Sequence, residues 1–148
     1  MIALLQRVLE ASVVVEGEKI AAIEKGILAL IGVEKNDTEK QAERLLQRVL
    51  GYRIFSDQED KMNLSVSDSG GGLLLVPQFT LAADAQKGMR PSFTSAESPE
   101  KGEMMFNYFV SQAEIKHQLV TCGRFGADMK VSLINDGPVT FWLQVRPD

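Results

Sequence analysis

The alternation of apolar and polar residues predicts that the chain begins as a β-sheet. Residues 11–15 and 20–23 are apolar segments on either side of the polar residues 16–19, which is the pattern of a β-hairpin. Residues 27–33 are apolar without alternation, as expected for a central strand that is covered on both faces. These segments therefore predict a hairpin followed by a strand in the middle of the sheet.

Two amphipathic helices are predicted from apolar residues at three- and four-residue spacing. The first covers residues 38–50, where Thr38 is a typical N-cap and Gln41 stands at the position that completes a capping box. The second begins at Ser98, because a serine cap followed by proline at the first helical position is a strong start signal. The side chains expected to face the core from this second helix are Met104, Met105, Tyr108, Phe109 and Ala113.

The remaining apolar segments complete a sheet whose strands do not alternate regularly with helices. Residues 67–72 include three consecutive glycines and are predicted to be a flexible connection. The predicted fold class is α/β, with a mixed, largely antiparallel sheet or a partly closed barrel and two main helices packed on it. A dinucleotide-binding fold is not expected, since the chain has no G-x-G-x-x-G sequence. Further strands are predicted at residues 52–55, 73–76, 120–122, 129–134 and 141–145.

Length and composition further narrow the class of protein. The 148 residues predict a single domain, residues 1–148, that is large enough for a hydrophobic core of its own. The single cysteine, Cys122, excludes a disulfide framework and a multi-cysteine zinc site, and it fits a cytoplasmic location. The longest apolar run, residues 26–33, is far shorter than a membrane span, so no membrane association is expected.

The net charge of −4 argues against a protein that wraps a long nucleic-acid duplex, because such a protein needs a broad basic face. The charge leaves open a protein that grips one end of an RNA. Residues 87–90 (Lys-Gly-Met-Arg) form a small basic island that would suit this role. From charge alone, an ordinary solvated loop is the favoured interpretation of the island.

Few residues are suited to catalysis. The only histidine, His117, is predicted to end the second helix, where a capping or surface role is favoured over a catalytic one. Asp57, Glu59 and Asp60 lack the further ligands of a calcium loop, so a solvated loop is favoured there as well. No metal and no cofactor are therefore expected.

Two segments remain as candidates for a functional site. Residues 77–84 follow an apolar strand and supply the donor and acceptor of Gln78, the flat ring of Phe79 and the hydroxyl of Thr80. Residues 135–140 (Asn-Asp-Gly-Pro-Val-Thr) bend the chain between two predicted strands, where Pro138 fixes its own φ and Gly137 tolerates dihedrals that other residues avoid. From the residues alone, a trans turn is slightly favoured there over a turn with a cis Gly-Pro bond.

Together, these segments resemble the signature motifs of the D-aminoacyl-tRNA deacylase family. Residues 78–84 (Gln-Phe-Thr-Leu-Ala-Ala-Asp), followed by residues 87–93 (Lys-Gly-Met-Arg-Pro-Ser-Phe), are similar to the first motif. Residues 135–140 are similar to the second motif. The resemblance covers nearly the whole chain, since further similarities lie at residues 6–8, 52–57 and 61–64.

One position departs from the family pattern. The family usually has serine where this chain has Pro77. A sister group of related deacylases also has proline there, but it has a small residue where this chain has Phe79, so Phe79 favours the D-specific branch. Any role of a serine side chain at this position cannot be transferred to Pro77.

The resemblance implies an enzyme that hydrolyses the ester bond between a D-amino acid and the terminal adenosine of tRNA. It also implies removal of glycine from mischarged tRNA, such as tRNA-Ala. The expected assembly is a homodimer, in which a cis Gly-Pro motif of one subunit completes the active site of the other and rejects L-amino acids. The residues implied for catalysis are Gln78, Phe79 and Thr80, and those implied for substrate binding are Gly137, Pro138, Arg7, as a brace for the motif, and Met129.

Two chemistries remain open for the hydrolysis. Thr80 could be the nucleophile, although no base is evident for it. The favoured alternative uses the 2′-hydroxyl of the terminal adenosine, with backbone N–H groups near Phe79 and Thr80 stabilising the developing oxyanion. The competing function is a module that binds an RNA end or a nucleotide in the same pocket without turnover.

Overall fold

The apolar segments of the chain form one strongly curved sheet with helices packed on it. The computed structural model describes residues 1–148. In chain order the elements are β1 (Ile2–Val15), β2 (Glu18–Ile23), β3 (Gly26–Gly32), α1 (Glu39–Gly51), β4 (Phe55–Ser56), β5 (Met62–Leu64), α2 (Val66–Ser69), β6 (Gly72–Pro77), a 3-10 turn (Phe79–Ala82), α3 (Pro99–Lys116), β7 (Val120–Cys122) and β8 (Lys130–Gln144).

The long strand β1 organises the sheet. It pairs antiparallel with β3 over residues 2–8, with β2 over residues 11–15, and with β8 along its other edge. The pairs β3–β6 and β6–β7 are parallel, so the strand order is β2-β1-β3-β6-β7 with β8 attached to β1. Because β2 also contacts β6 and β7, the sheet curls towards a closed barrel. The predicted mixed, largely antiparallel sheet is confirmed.

Burial on both faces of the sheet explains why β3 lacks alternation. Ile27, Ala29 and Ile31 belong to the larger hydrophobic cluster, which includes the apolar faces of α1 and α3. Leu28 points to the opposite face and belongs to a second cluster with Val8 and other residues of β1, β2 and β6. Full burial of one such side chain contributes about 1.5–3 kcal/mol, so two-sided burial strongly favours β3 as the central strand.

Both predicted main helices are present. α1 begins after Thr38, whose backbone N–H donates to the Gln41 side-chain oxygen at 2.8 Å, as the capping-box pattern predicts. α3 begins after Ser98, whose hydroxyl accepts a hydrogen bond from the Lys101 N–H at 3.4 Å. Neither these helices nor α2 has the length and apolar character required to cross a membrane.

The buried face of α3 differs from the predicted one. Phe109 and Ala113 are buried as predicted, but Met104 is 66% exposed, and Phe106 and Val110 take part in the core instead. Apolar residues stand at three consecutive positions, 104–106, so the spacing fits two neighbouring helix faces. Only packing against α1 and the sheet selects between these faces.

Two short segments also differ from the prediction. Residues 52–54 are not part of a strand, and only Phe55–Ser56 pair with β5. The glycine-rich segment contains the one-turn helix α2, which ends at Gly70 in the left-handed conformation. A Cβ on Gly26 would lie 1.9 Å from the Gly72 carbonyl oxygen, so glycine is needed where β3 and β6 approach each other. The prediction of a flexible connection was wrong because the segment holds α2 and the start of β6, where a Cβ on Gly72 would lie 2.9 Å from the Ile23 side chain.

A hydrogen bond between the two main helices makes stability depend on pH. The Tyr108 hydroxyl on α3 donates to the Glu43 carboxylate on α1. This bond, reinforced by desolvation and the carboxylate charge, raises the pKa of Tyr108 from 10.0 to about 12. Because the bond requires the neutral phenol, its stabilising effect is fully present below pH 10 and is lost as the pH rises from 10 to about 12.

We expect an absorbance titration of tyrosinate to give a midpoint near 12 for Tyr108, obtained as the difference between the protein and Tyr108→Phe. Glu43→Gln retains a hydrogen-bond acceptor but removes the charge, so it should lower the pKa of Tyr108 towards 10.0. A midpoint that Glu43→Gln does not change would contradict this account of the helix contact.

Candidate active site

The first candidate segment lies at the end of the central strand β6. Parallel pairing sets Pro77 beside Ile31, and the next backbone N–H, that of Gln78, donates to the Ile31 carbonyl oxygen at 2.7 Å. The chain then enters the 3-10 turn Phe79–Ala82, which packs directly over Gly32, where a Cβ would lie 3.2 Å from the Gln78 carbonyl oxygen. The turn therefore stands at the C-terminal edge of the parallel strands, where many α/β sheets bind ligands.

Pro77 occupies a position of the strand where its missing N–H costs no sheet hydrogen bond. β7 ends at Cys122, which is paired with Leu75. The backbone of residue 77 faces the same side of β6 as Leu75, two positions beyond the end of β7. Proline is accepted at such a strand end although β6 itself is central.

The Gln78 turn (residues 78–80) presents polar groups to solvent. The side-chain amide of Gln78 donates to the Thr80 hydroxyl, and Phe79 and Thr80 are both exposed. Phe79 and Thr80 are the first residues of the 3-10 turn, so their N–H groups have no acceptor within it. Two such N–H groups are suited to bind an oxyanion that develops on a carbonyl group.

A pocket of about 580 Å³ opens beside the Gln78 turn. Phe79 and Phe93 form one aromatic wall, with ring centroids 5.3 Å apart, and Phe106 and Phe125 contribute a second one. Lys35 is the only cationic side chain in the lining. The size and the flat apolar walls suit a nucleobase or an amino-acid side chain.

The second candidate segment is a wide bulge within a continuous strand. β8 pairs with β1 on both sides of the bulge, with Thr140 opposite Gln6 and Asn135 opposite Val8. Four residues of β8, residues 136–139, therefore stand opposite one residue of β1. The prediction of two strands joined by a tight bend was wrong, because both flanking segments remain paired with the same long partner strand.

Two side chains hold the Gly-Pro bulge (residues 136–139) in place. Arg7 donates from Nε to the Asp136 carbonyl oxygen at 3.1 Å and from Nη1 to the Ile54 carbonyl oxygen at 2.7 Å. Asn135 donates from Nδ2 to the carbonyl oxygens of Arg7 at 2.9 Å and Val139 at 3.0 Å. Arg7 thus makes the bracing contact that the family resemblance implies, while Asn135 closes the base of the bulge.

Gly137 and Pro138 form the exposed tip of the bulge. The peptide bond between them is cis, and Gly137 has a φ of 145°, a value that side chains oppose. A Cβ on Gly137 would lie 2.6 Å from Val139 Cγ2, and Val139 itself is buried in the core. The tip therefore presents backbone groups on a fixed support.

The Gln78 turn and the Gly-Pro bulge lie far apart within one chain. Strand pairing aligns the bulge with Arg7 and Ile27, whereas the turn follows the register of Ala3 and Ile31. This separates them by about 13 Å along the strands and, since β8, β1, β3 and β6 are successive neighbours, by about 14 Å across the sheet. The two segments therefore occupy separate positions on the sheet within one chain.

Met129 belongs to the neighbourhood of the Gln78 turn. Its Sδ would lie 2.7 Å from a Cβ on Gly123, and the ring of Pro77 is the next neighbour of that position, at 3.5 Å. Met129 also accepts a hydrogen bond at Sδ from the Arg124 N–H at 3.4 Å. Of the two other residues predicted for substrate binding, Met129 therefore lies beside the Gln78 turn, and Arg7 contacts the Gly-Pro bulge.

The other reactive residues of the chain are engaged elsewhere. His117 occupies the C-cap position of α3, as predicted, and its Nε2 lies 2.7 Å from the Gly71 carbonyl oxygen. The Asp57 carboxylate accepts backbone hydrogen bonds from Lys61 and Glu59, which lower its pKa. Burial raises the pKa of the Cys122 thiol, so this group is not activated as a nucleophile.

Two backbone N–H donors beside an apolar pocket define a candidate site for an enzyme that transfers acyl groups. Comparisons with known proteins agree with this class of enzyme. A family model described as D-Tyr-tRNA(Tyr) deacylase matches residues 4–144. A D-aminoacyl-tRNA deacylase of Thioalkalivibrio sulfidiphilus is 65% identical over 147 residues and covers 99% of both chains. The corresponding protein of Janthinobacterium sp. is 61% identical with the same coverage.

Solved structures share the fold. The structure described as "c-Myc DNA Unwinding Element Binding Protein" has a TM-score of 0.95 at 40% identity and covers 99% of this chain and 100% of its own. A probable eukaryotic D-amino acid tRNA deacylase has a TM-score of 0.81 at 15% identity, with 97% and 98% coverage, which shows a common fold. The chain belongs to the D-aminoacyl-tRNA deacylase family and is an enzyme of the hydrolase class.

Sequence reasoning missed several residues that build the two segments. Asn135 and Phe93 stood out only as members of motifs, although an asparagine at the start of a bend often bonds nearby backbone groups. The Ile54 carbonyl oxygen, which positions Arg7, carries no signal in sequence, since every residue has such a group. Only the fold brings it to Arg7.

Proposed function

We propose that the protein hydrolyses the ester bond that links a D-amino acid to the terminal adenosine of tRNA, releasing the free amino acid and tRNA. The observation that carries this proposal is the exposed Gln78 turn, whose free N–H groups border the aromatic pocket, in a chain 59–65% identical to D-aminoacyl-tRNA deacylases. The adenine ring or the amino-acid side chain occupies the pocket. We expect the enzyme in the cytoplasm, because its proposed substrate is used in translation.

The proposed reaction uses the substrate's own 2′-hydroxyl. Water attacks the ester carbonyl carbon, and the N–H groups of Phe79 and Thr80 stabilise the negative charge on its oxygen. The bond between this carbon and the ribose oxygen then breaks, and the 2′-hydroxyl relays the proton of the water to the leaving ribose oxygen. Thr80, bonded to Gln78, orients the turn in this scheme and does not form a covalent intermediate.

The Gly-Pro bulge is proposed to select the hand of the amino acid. D- and L-amino acids differ in the direction in which the side chain leaves Cα. Backbone carbonyl groups at Gly137 and Pro138, held by Arg7 and Asn135, bind near the α-amino group and leave no room for an L side chain. Glycine has no side chain to reject, so glycine on mischarged tRNA, including tRNA-Ala, is also hydrolysed.

Hydrolysis at the Gln78 turn and selection at the Gly-Pro bulge together require two copies of the chain. Because the bulge and the turn of one chain are separated by about 13 Å along the strands and about 14 Å across the sheet, a complete site combines the turn of one subunit with the bulge of its partner. The unpaired outer edge of β8 and the exposed Trp142 and Ile134 on that strand supply a surface for such an assembly. A fully active monomer in sedimentation would contradict the composite site.

The decisive test compares D-tyrosyl-tRNA with L-tyrosyl-tRNA by measuring the ester that remains over time. We expect kcat/KM for the D ester to exceed that for the L ester by more than about 200-fold, because steric exclusion discriminates more strongly than the loss of a methylene group. Glycyl-tRNA should be hydrolysed, as a positive control for acceptance of a substrate without a side chain. Equal persistence of the D and L esters would refute the proposal.

A second candidate function is nucleic-acid binding without turnover. The description of the 40%-identical solved structure as a protein that binds a DNA unwinding element favours it. The net charge of −4 weighs against it, because binding along a duplex requires many cationic contacts. Binding of tRNA with no loss of either ester in the assay above would select this alternative.

A further inference from the structure

A basic loop projects from the wall of the pocket and is not used by the proposed chemistry. Residues 85–91, named here the basic arm, are closed at their base by backbone hydrogen bonds between Asp84 and Ser92, at 2.7 and 3.0 Å. The arm contains Lys87 and Arg90, and all its residues are exposed. It extends roughly 10 Å from this base if both of its sides are extended.

The side chains at the tip of the arm have no partner within the molecule. Lys87 and Arg90 form no ion pair and no side-chain hydrogen bond with any other residue, and the Met89 side chain is 101% exposed. Methionine is a flexible, polarizable side chain that adapts to irregular binding surfaces, and here it stands between two cations that have no partner. The three side chains are available to a ligand.

The arm is tied to the proposed catalytic turn. Phe93 directly follows the base of the arm, and its ring contacts the Phe79 ring at a centroid distance of 5.3 Å. Backbone bonds fix the segment beyond Phe93 to the end of β3, including the Lys35 N–H to the Ser95 carbonyl oxygen at 3.1 Å. The arm therefore begins at one wall of the pocket, within reach of a nucleic acid whose last nucleotide occupies the pocket.

We propose that the basic arm binds backbone phosphates of the RNA that adjoin the terminal adenosine, with Lys87 and Arg90 each neutralising one phosphate and Met89 contacting a sugar or base. This inference rests on the proposed function, because it takes an aminoacyl-RNA as the ligand of the pocket. Asp84 forms no ion pair with Lys87 or Arg90, and its carboxylate accepts the Gln86 N–H at the base of the loop at 3.0 Å. The arm supplies affinity without sequence preference, because phosphates carry no base identity.

The double variant Lys87→Ala/Arg90→Ala tests the arm against two D-tyrosyl esters, one of full-length tRNA and one of adenosine alone. We expect KM for D-tyrosyl-tRNA to rise roughly tenfold at unchanged kcat, and the dependence of log KM on log salt to weaken by about two. Hydrolysis of D-tyrosyl-adenosine, which has no phosphate, should not change. Affinity for uncharged tRNA should fall by the same factor as KM rises.

The control is Lys19→Ala/Lys25→Ala, which removes the same charge from exposed positions on and after β2 and should leave all these values unchanged. Equal losses with both esters would mean that the variant distorts the Gln78 turn through Phe93, and would overturn the inference. Unchanged values with tRNA would overturn it as well. Inactivity of the unmodified protein with both esters would instead remove the proposed function, and the inference with it.

Discussion

Gly137→Ala is expected to lower kcat/KM for D-tyrosyl-tRNA by at least about 100-fold, the cost of displacing a catalytic-site group by about 1 Å. The added Cβ would lie 2.6 Å from Val139 Cγ2 and 2.7 Å from the Val139 backbone nitrogen, at a φ of 145° that disfavours any side chain. Because Val139 is buried, the tip of the Gly-Pro bulge must move instead. The preference for the D ester should fall together with the rate.

Gly51→Ala is the matched control for this substitution. Gly51 ends α1, a Cβ added to it would have no heavy atom within 4 Å, and its φ is ordinary, so alanine there should leave the rate unchanged. Thermal unfolding of both variants separates a local change of the bulge from a loss of the fold. Full activity and an unchanged preference for the D ester in a folded Gly137→Ala protein would rule out the bulge as the selective element.

Mixing two inactive variants tests whether the site is shared between subunits. In a mixed dimer of Gly137→Ala and Thr80→Pro, which removes one N–H donor to the oxyanion, one site combines an intact turn with an intact bulge, and the other site carries both defects. Random exchange of subunits makes about half of the dimers mixed, and one of the two sites in each mixed dimer is intact. About a quarter of all sites should therefore recover. No recovery after exchange, with mixed dimers demonstrated, would show that each chain works alone.

The second prediction with a large expected effect is tested by changing the substrate and not the protein. A D-tyrosyl ester of tRNA that ends in 2′-deoxyadenosine is expected to be hydrolysed about 100-fold or more slowly, because it lacks the hydroxyl that relays the proton. Thr80→Ala should retain substantial activity on the normal ester, since the N–H groups of Phe79 and Thr80 remain in place. Single-turnover rates at saturating enzyme separate this chemical step from binding.

The two chemistries predict opposite results in this pair of measurements. If Thr80 were the nucleophile, Thr80→Ala would remove activity on both esters, and the deoxy ester would react nearly normally with the unmodified protein. Thr80→Ser is the matched control, because it keeps a hydroxyl that can accept from Gln78. Complete loss of activity in a folded Thr80→Ala protein that still binds tRNA would exclude the assignment made here.

Local signals in the sequence predicted the elements that depend on local interactions. Thr38 and Gln41 are three residues apart, so the first turn of the helix brings them into contact without any distant partner. The hairpin around residues 16–17 and the doubly buried strand β3 follow in the same way from turn residues and from an unbroken apolar run. The core face of α3 was predicted less well, because Met104 and Phe106 are equally apolar and only distant partners distinguish them.

The two segments of the candidate site were proposed from the sequence, and the roles of their residues stay predictions, but their arrangement could not be predicted. The motif resemblance pointed to residues 78–80 and to Gly137 and Pro138, and the structure has the cis bond that the resemblance implies. The pairing of β8 with β1 on both sides of residues 136–139 depends on residues more than a hundred positions away. A bend and a bulge have the same local sequence, so tertiary pairing had to choose between them.

The sequence by itself determined the helix starts, the hairpin, the buried strand and the candidate residues for a functional site, because short-range backbone preferences and side-chain types fix these. Only the tertiary structure decided that Arg7 and Asn135 hold the bulge and that Met129 lies beside the turn. It also decided that the turn and the bulge lie at separate places on the sheet. The physical reason is strand register: it sets which distant residues meet, and it is specified by the packing of whole faces and not by any single motif.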